Sequence, residues 1–142
     1  MTYQSFNSEM FSRFPHLKEI SDRELGYFGD EEPGCYITFE SILVPEIERV
    51  ASASENEYIT QLMTFVEEVA SSDIRCRELV QIGLGEWLPS SRNGDIIRNA
   101  AGPETQKAIF LAERQRVVWQ RKAESSPIFF YLRKLFASKK KV

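Results

Sequence analysis

The chain has 142 residues, 42% hydrophobic and 27% charged, with a net charge of −3. Those proportions describe an ordinary globular domain, long enough to enclose a core and too apolar for a disordered chain. No apolar run reaches the ~18 residues that span a bilayer, and the start MTYQSFNSEM lacks the basic and apolar regions of a signal peptide.

Residues 3–14 place Tyr3, Phe6, Met10, Phe11 and Phe14 at the spacing of one helical face, and Pro15 ends or kinks that helix. A short helix follows before Gly26. Phe28-Gly29-Asp30-Glu31-Glu32-Pro33-Gly34 then reads as an acidic turn. Its three adjacent carboxylates repel one another, so they are expected at the surface, available to a cation or a basic partner. Cys35 and Cys76 stand in no metal-ligand spacing, which points to reduced thiols and a cytoplasmic protein.

From residue 36 to 50, Tyr36, Phe39, Ile42, Leu43, Ile47 and Val50 keep a helical period, with a break expected near Leu43 and a new helix at Pro45. Tyr36-Ile37-Thr38-Phe39 is locally β-prone, but no partner strand appears elsewhere. The central pair of helices comes next. Tyr58, Ile59, Leu62, Met63, Phe65, Val66, Val69 and Ala70 form the stripe of the first, with Ser54 and Glu57 at capping-box spacing. Asp73 is the expected cap of the second, whose inner face carries Leu79, Val80, Gly83, Leu84, Trp87 and Leu88 until Pro89 stops it. The glycines there would let helices approach closely.

A short helix is expected over residues 95–101, and Pro103 opens a longer one to Lys122 with Ala108, Ile109, Leu111, Ala112, Val118 and Trp119 available for burial. Glu113 to Arg116 is polar all round, so good packing is expected only near its start. Pro127 opens a last helix with Phe129, Phe130, Leu132, Leu135 and Phe136, ending in Lys139-Lys140-Lys141. The whole reads as an all-α, single-domain irregular bundle or short α-solenoid-like stack of about seven to eight helices. Residues 1–125 form its body. Residues 126–142 form a C-terminal amphipathic helix with a basic tail, expected to pack on the same domain.

Charge is unevenly placed. Residues 1–100 carry a net of −10 and residues 101–142 a net of +7. Such separation steers partners of opposite sign, although solvated helix faces alone would also produce it. The aromatic and basic C-terminal stretch fits a final core helix, an anionic membrane surface or nucleic-acid phosphates.

Catalytic signals are sparse. The single histidine, His16, sits at a helix boundary and reads as a surface or capping residue; no catalytic residue, metal ligand or cofactor is expected. Gly83-Leu84-Gly85 lacks what a phosphate loop needs. Glu86, between Leu84 and Trp87 in a run expected to be buried, is the one carboxylate that burial could turn into a general acid. The alternative is pairing with Arg75, Arg77 or Arg98.

Four segments together carry a resemblance: Tyr27-Phe28-Gly29-Asp30-Glu31-Glu32-Pro33, Phe65-Val66-Glu67-Glu68-Val69-Ala70-Ser71-Ser72-Asp73, Glu86-Trp87-Leu88 and Gly102-Pro103-Glu104-Thr105. In this order they resemble a family of small helical bacterial proteins encoded beside polymorphic or contact-dependent toxins as immunity-like proteins. The resemblance implies an all-helical fold, no catalytic residue, and neutralisation of a cognate protein toxin by binding. An acidic surface would suit a basic nuclease toxin, with Asp30, Glu31, Glu32, Glu67 and Glu68 as the expected partner-binding residues. The alternative is a membrane- or nucleic-acid-associated adaptor using residues 127–141; an enzyme built on buried carboxylates comes third.

Overall fold

A computed structural model describes residues 1–26 and 29–139, without the side chains of residues 129, 130, 138 and 139. The fold is all-α, with no strand among the described residues. Helices α1 (Phe6–Arg13), α2 (Pro15–Glu24), α3 (Cys35–Thr38), α4 (Val44–Ser52), α5 (Asn56–Ser72), α6 (Ile74–Val80), α7 (Gly94–Ala100), α8 (Pro103–Glu124) and α9 (Pro127–Lys139) follow in order. The chain forms two compact units, Met1–Ala112 and Glu113–Val142. The first unit therefore closes inside α8, ahead of the boundary expected near residue 125.

Helix α5 runs through the middle of the first unit. Its stripe of Ile59, Leu62, Met63, Phe65, Val66, Val69 and Ala70 is buried as the spacing predicts. Each such large apolar side chain contributes about 1.5–3 kcal/mol on leaving water. Phe65 meets Phe6 of α1 at a ring separation of 5.9 Å and Phe14 edge-on at 5.7 Å; Phe6 in turn meets Phe39 at 5.7 Å. This aromatic chain fixes the N-terminal helices against α5.

The break expected near Leu43 is a π-helical segment rather than a gap, and α4 takes Pro45 in its first turn. Residues 35–52 are continuously helical, with a π-helical segment, Phe39–Leu43, between α3 and α4. The Val44 N–H reaches back five residues to the Phe39 carbonyl. The widened turn accommodates a proline that has no N–H to offer and would crowd the carbonyl four residues earlier. A second π segment, Gln81–Gly85, extends α6 in place of a uniform α-helix to Leu88, and Pro89 falls in a 3₁₀ turn, Leu88–Ser90. The two π segments pack against each other. A Cβ on Gly83 would stand 2.7 Å from Phe39 Cε1, and one on Gly85 2.6 Å from Ala112 Cβ. Close approach is what these glycines permit.

The start of α5 also differs from expectation. Ser54 makes no capping box; the N-cap is Glu55, without a side-chain hydrogen bond. Ser54 instead closes α4 in the left-handed conformation at φ 57°. Its N–H donates to the Ala51 carbonyl and that of Glu55 to the Val50 carbonyl, both at 3.3 Å. This is a Schellman closure, and it needs the backbone angle that a capping box forbids. The Asp73 cap forms as expected, its carboxylate accepting from the Cys76 N–H at 2.8 Å.

In α8 only Thr105, Ala108, Ile109 and Ala112 are buried. Leu111, Val118 and Trp119, expected to be available for burial, are exposed at 43%, 47% and 62%. In the second unit no described side chain is buried, and Leu132, Leu135 and Phe136 of α9 are exposed. The side chains of Phe129 and Phe130 and the tail beyond Lys139 lie outside the described residues. No helix of the described residues is long and apolar enough to cross a membrane.

Candidate functional site

The acidic turn is fixed at both ends by short local contacts. At its start, Gly29 takes the left-handed angle φ 65° and its N–H donates to the Gly26 carbonyl at 3.1 Å. At its end, buried Asn7 donates through Nδ2 to the Pro33 carbonyl at 2.9 Å, and the Cys35 thiol donates to the Tyr3 carbonyl at 3.0 Å. Tyr27 and Phe28, which begin this segment of the resemblance, lie outside the described residues.

So held, Asp30, Glu31 and Glu32 are all exposed along one side of a cleft of about 610 Å³. Phe11 of α1, Lys18, Asp22 and Leu25 of the α2 region, and Pro33 line the rest. Lys18 pairs with Asp22 at 2.7 Å and lies over the Phe11 ring at 5.4 Å. The cleft thus sets three exposed carboxylates beside a mixed lining that includes Phe11, Leu25 and Pro33. Chemically, that arrangement suits a cationic side chain with an aliphatic stem.

Glu67 and Glu68 are elsewhere. Glu67 turns inward to the start of α8, where its carboxylate accepts from the backbone N–H groups of Glu104 at 2.9 Å and Thr105 at 2.8 Å, and from Thr105 Oγ1 at 2.7 Å. A Cβ on Gly102 would overlap this carboxylate, so glycine is what lets it enter. Desolvation pushes the Glu67 carboxyl up, yet the three donors together outweigh it and hold the pKa below the usual value. Glu68 is bound to Arg13 at 2.5 Å, and that hydrogen bond likewise depresses its pKa. Of the five expected partner-binding carboxylates, Asp30, Glu31 and Glu32 border the cleft, while Glu67 and Glu68 make intramolecular contacts.

Other expected sites change as well. Glu86 is exposed rather than enclosed by its apolar neighbours, because the π segment turns it outward while Leu84, Gly85 and Leu88 point in. Of the candidate arginines, Arg77 reaches Glu104 at 3.4 Å, and Arg75 stacks over the Tyr3 ring at 3.9 Å. Among the described residues, no group of three His, Cys, Asp or Glu side chains is placed to hold a metal.

One polar cluster was not visible in the sequence. His16 Nε2 lies 2.6 Å from the Tyr58 hydroxyl and 3.4 Å from Glu46 Oε1, while Arg49 donates to both oxygens of Glu46 at 3.0 and 2.9 Å. Glu46 is 4% exposed; the Arg49 hydrogen bonds, working against desolvation, hold its carboxyl below the usual range. Burial, then the Glu46 charge, pushes the Tyr58 phenol up to about 12. Only the Glu46–Arg49 spacing on one helix was legible; His16 and Tyr58 come from α2 and α5. Both Glu46 oxygens are engaged, so the cluster ties three helices together.

No protein-family model, curated protein or solved structure matches the chain.

Proposed function

We propose that this chain is a protein-binding module that neutralises a basic protein, a toxin of the nuclease type being the leading case, by stoichiometric association. The observation that carries the reading is the exposed row of Asp30, Glu31 and Glu32 lining the cleft beside Phe11 and Leu25. The unit that bears it, Met1–Ala112, has 19 acidic and 9 basic side chains, a net of −10. A charge of that size raises the encounter rate with a basic partner and discourages acidic ones. The reading rests on the turn carboxylates alone, since those of Glu67 and Glu68 are engaged by α8 and Arg13. The four-segment resemblance to immunity-like proteins supports the same reading.

The test is affinity capture of the intact tagged chain from its native cells, with partners identified by mass spectrometry. One stoichiometric basic protein, released by salt, is the expected result. Recovery of no protein at stoichiometric amount contradicts the proposal.

A further inference from the structure

The second compact unit, Glu113–Val142, has an unusual make-up for a folded segment. None of its described side chains is buried, yet Val117, Val118, Trp119, Ile128, Tyr131, Leu132, Leu135 and Phe136 are all large, apolar or aromatic, and between 46% and 72% exposed. Exposed apolar side chains this dense mark a surface made to be covered. The unit also carries nine basic and two acidic residues, a net of +7.

The layout of α9 distinguishes among possible covers. Ile128, Tyr131, Leu132 and Phe136 recur at i, i+3, i+4 and i+8, on one face of the helix. At 3.6 residues per turn, Arg133 falls on one flank of that face and Lys134 on the other, and both are exposed. A helix that lies in a lipid interface has this arrangement: the apolar face sinks into the acyl boundary, and flanking cations reach up to anionic headgroups. Nucleic acid offers phosphates and stacking surfaces but nothing to take up Ile128, Leu132, Val117 and Val118. A second copy of the chain offers acidic charge on its first unit, but the large apolar side chains exposed there, such as Ile74, Ile82 and Ile96, are scattered along the sequence. An anionic bilayer supplies both components at once.

We infer that residues 113–139 bind peripherally to an anionic membrane surface, with the apolar face of α9 inserted and the basic residues against the headgroups. No helix spans the bilayer in this arrangement. The inference is independent of the toxin-binding reading, since it concerns another unit of opposite charge.

The experiment is co-sedimentation of the full chain with vesicles of equimolar phosphatidylcholine and phosphatidylglycerol, beside vesicles of phosphatidylcholine alone. Partition into the mixed vesicles should be at least about tenfold higher, given roughly 1 kcal/mol for each Lys or Arg near an anionic surface, and should fall with salt. The variant Leu132→Glu with Phe136→Glu should lose vesicle binding while keeping the thermal transition of the parent, because both side chains are exposed. Arg133→Glu with Lys134→Glu should lose the preference for the anionic vesicles. Equal partition into both vesicles, or binding that survives the Leu132 and Phe136 substitutions, overturns the inference. So does salt-sensitive self-association or retention of homopolymer RNA without vesicle binding.

Discussion

The Glu67 carboxylate caps a helix that begins 36 residues after it, accepting the backbone N–H of Thr105 at 2.8 Å and the Thr105 hydroxyl at 2.7 Å. Thr105 is fully buried. The orphan amides that open α8 are thus satisfied from α5 rather than from a neighbouring residue.

Removing that cap should be costly. Glu67→Ala leaves a buried hydroxyl and two backbone donors without their charged acceptor, and hydrogen bonds to charged groups contribute about 1.5–3 kcal/mol. A urea titration should give a loss of that order. The pH dependence has a definite sign. A carboxyl whose folded pKa lies below its unfolded value contributes stability above the unfolded value of about 4.5, lost as pH falls through the folded one. Parent stability should therefore drop below about pH 4.5, and the drop should be shallower in Glu67→Ala.

Ser54 gives a prediction of opposite direction. It occupies a left-handed position at φ 57° without the glycine that suits it. Ser54→Gly should raise stability by about 0.5–1 kcal/mol. Were Ser54 an N-cap, the same change would lower stability by a few tenths. Thermal denaturation of the two proteins separates the alternatives by sign.

The packing of the two π segments is tight enough to test with one methyl group. Gly83→Ala places a Cβ against the Phe39 ring, which is itself wedged against Phe6. Overpacking of this kind costs about 1–3 kcal/mol. Gly85→Ala meets Ala112 Cβ. Pairing it with Ala112→Gly should recover part of the loss by denaturant titration, because the second change removes the atom in the way.

The thiols should differ in reactivity. Cys76 is fully buried, and burial followed by the Asp73 carboxylate pushes its pKa up to about 11. Cys35 is only partly buried, with an upward shift led by desolvation. At neutral pH, iodoacetamide should label Cys35 slowly and Cys76 only on unfolding, a pattern that mass spectrometry resolves. Labelling of Cys76 as fast as Cys35 in the folded chain would contradict the burial.

What the sequence made legible was what local spacing encodes. The α5 stripe, the Asp73 cap and the proline starts of α8 and α9 each depend on residues a few positions apart. The π segments were not legible as such: Pro45 read as a break rather than a widened turn, and the packing of Phe39 on Gly83 joins residues far apart in the chain. Glu67 read as a partner-binding carboxylate rather than a cap of α8, because the groups it binds lie beyond Gly102. Of the candidate site, the acidic turn was visible as three adjacent carboxylates. The cleft beside it was not, since Phe11 and Lys18 reach it from α1 and α2. Exposure of Val118, Trp119 and Phe136 was hidden by composition, which cannot tell an apolar residue in a core from one awaiting a partner.

The most direct test of the binding account sets the parent chain beside a triple variant, Asp30→Lys, Glu31→Lys and Glu32→Lys, in the same affinity capture across a salt series. All three side chains are exposed, so the variant should keep the parent's stability. The account predicts that the parent retains a basic protein at low salt and releases it as salt rises, while the variant captures far less and responds less to salt. Equal capture by both proteins, with the same salt profile, would contradict it and remove the acidic row from the interface.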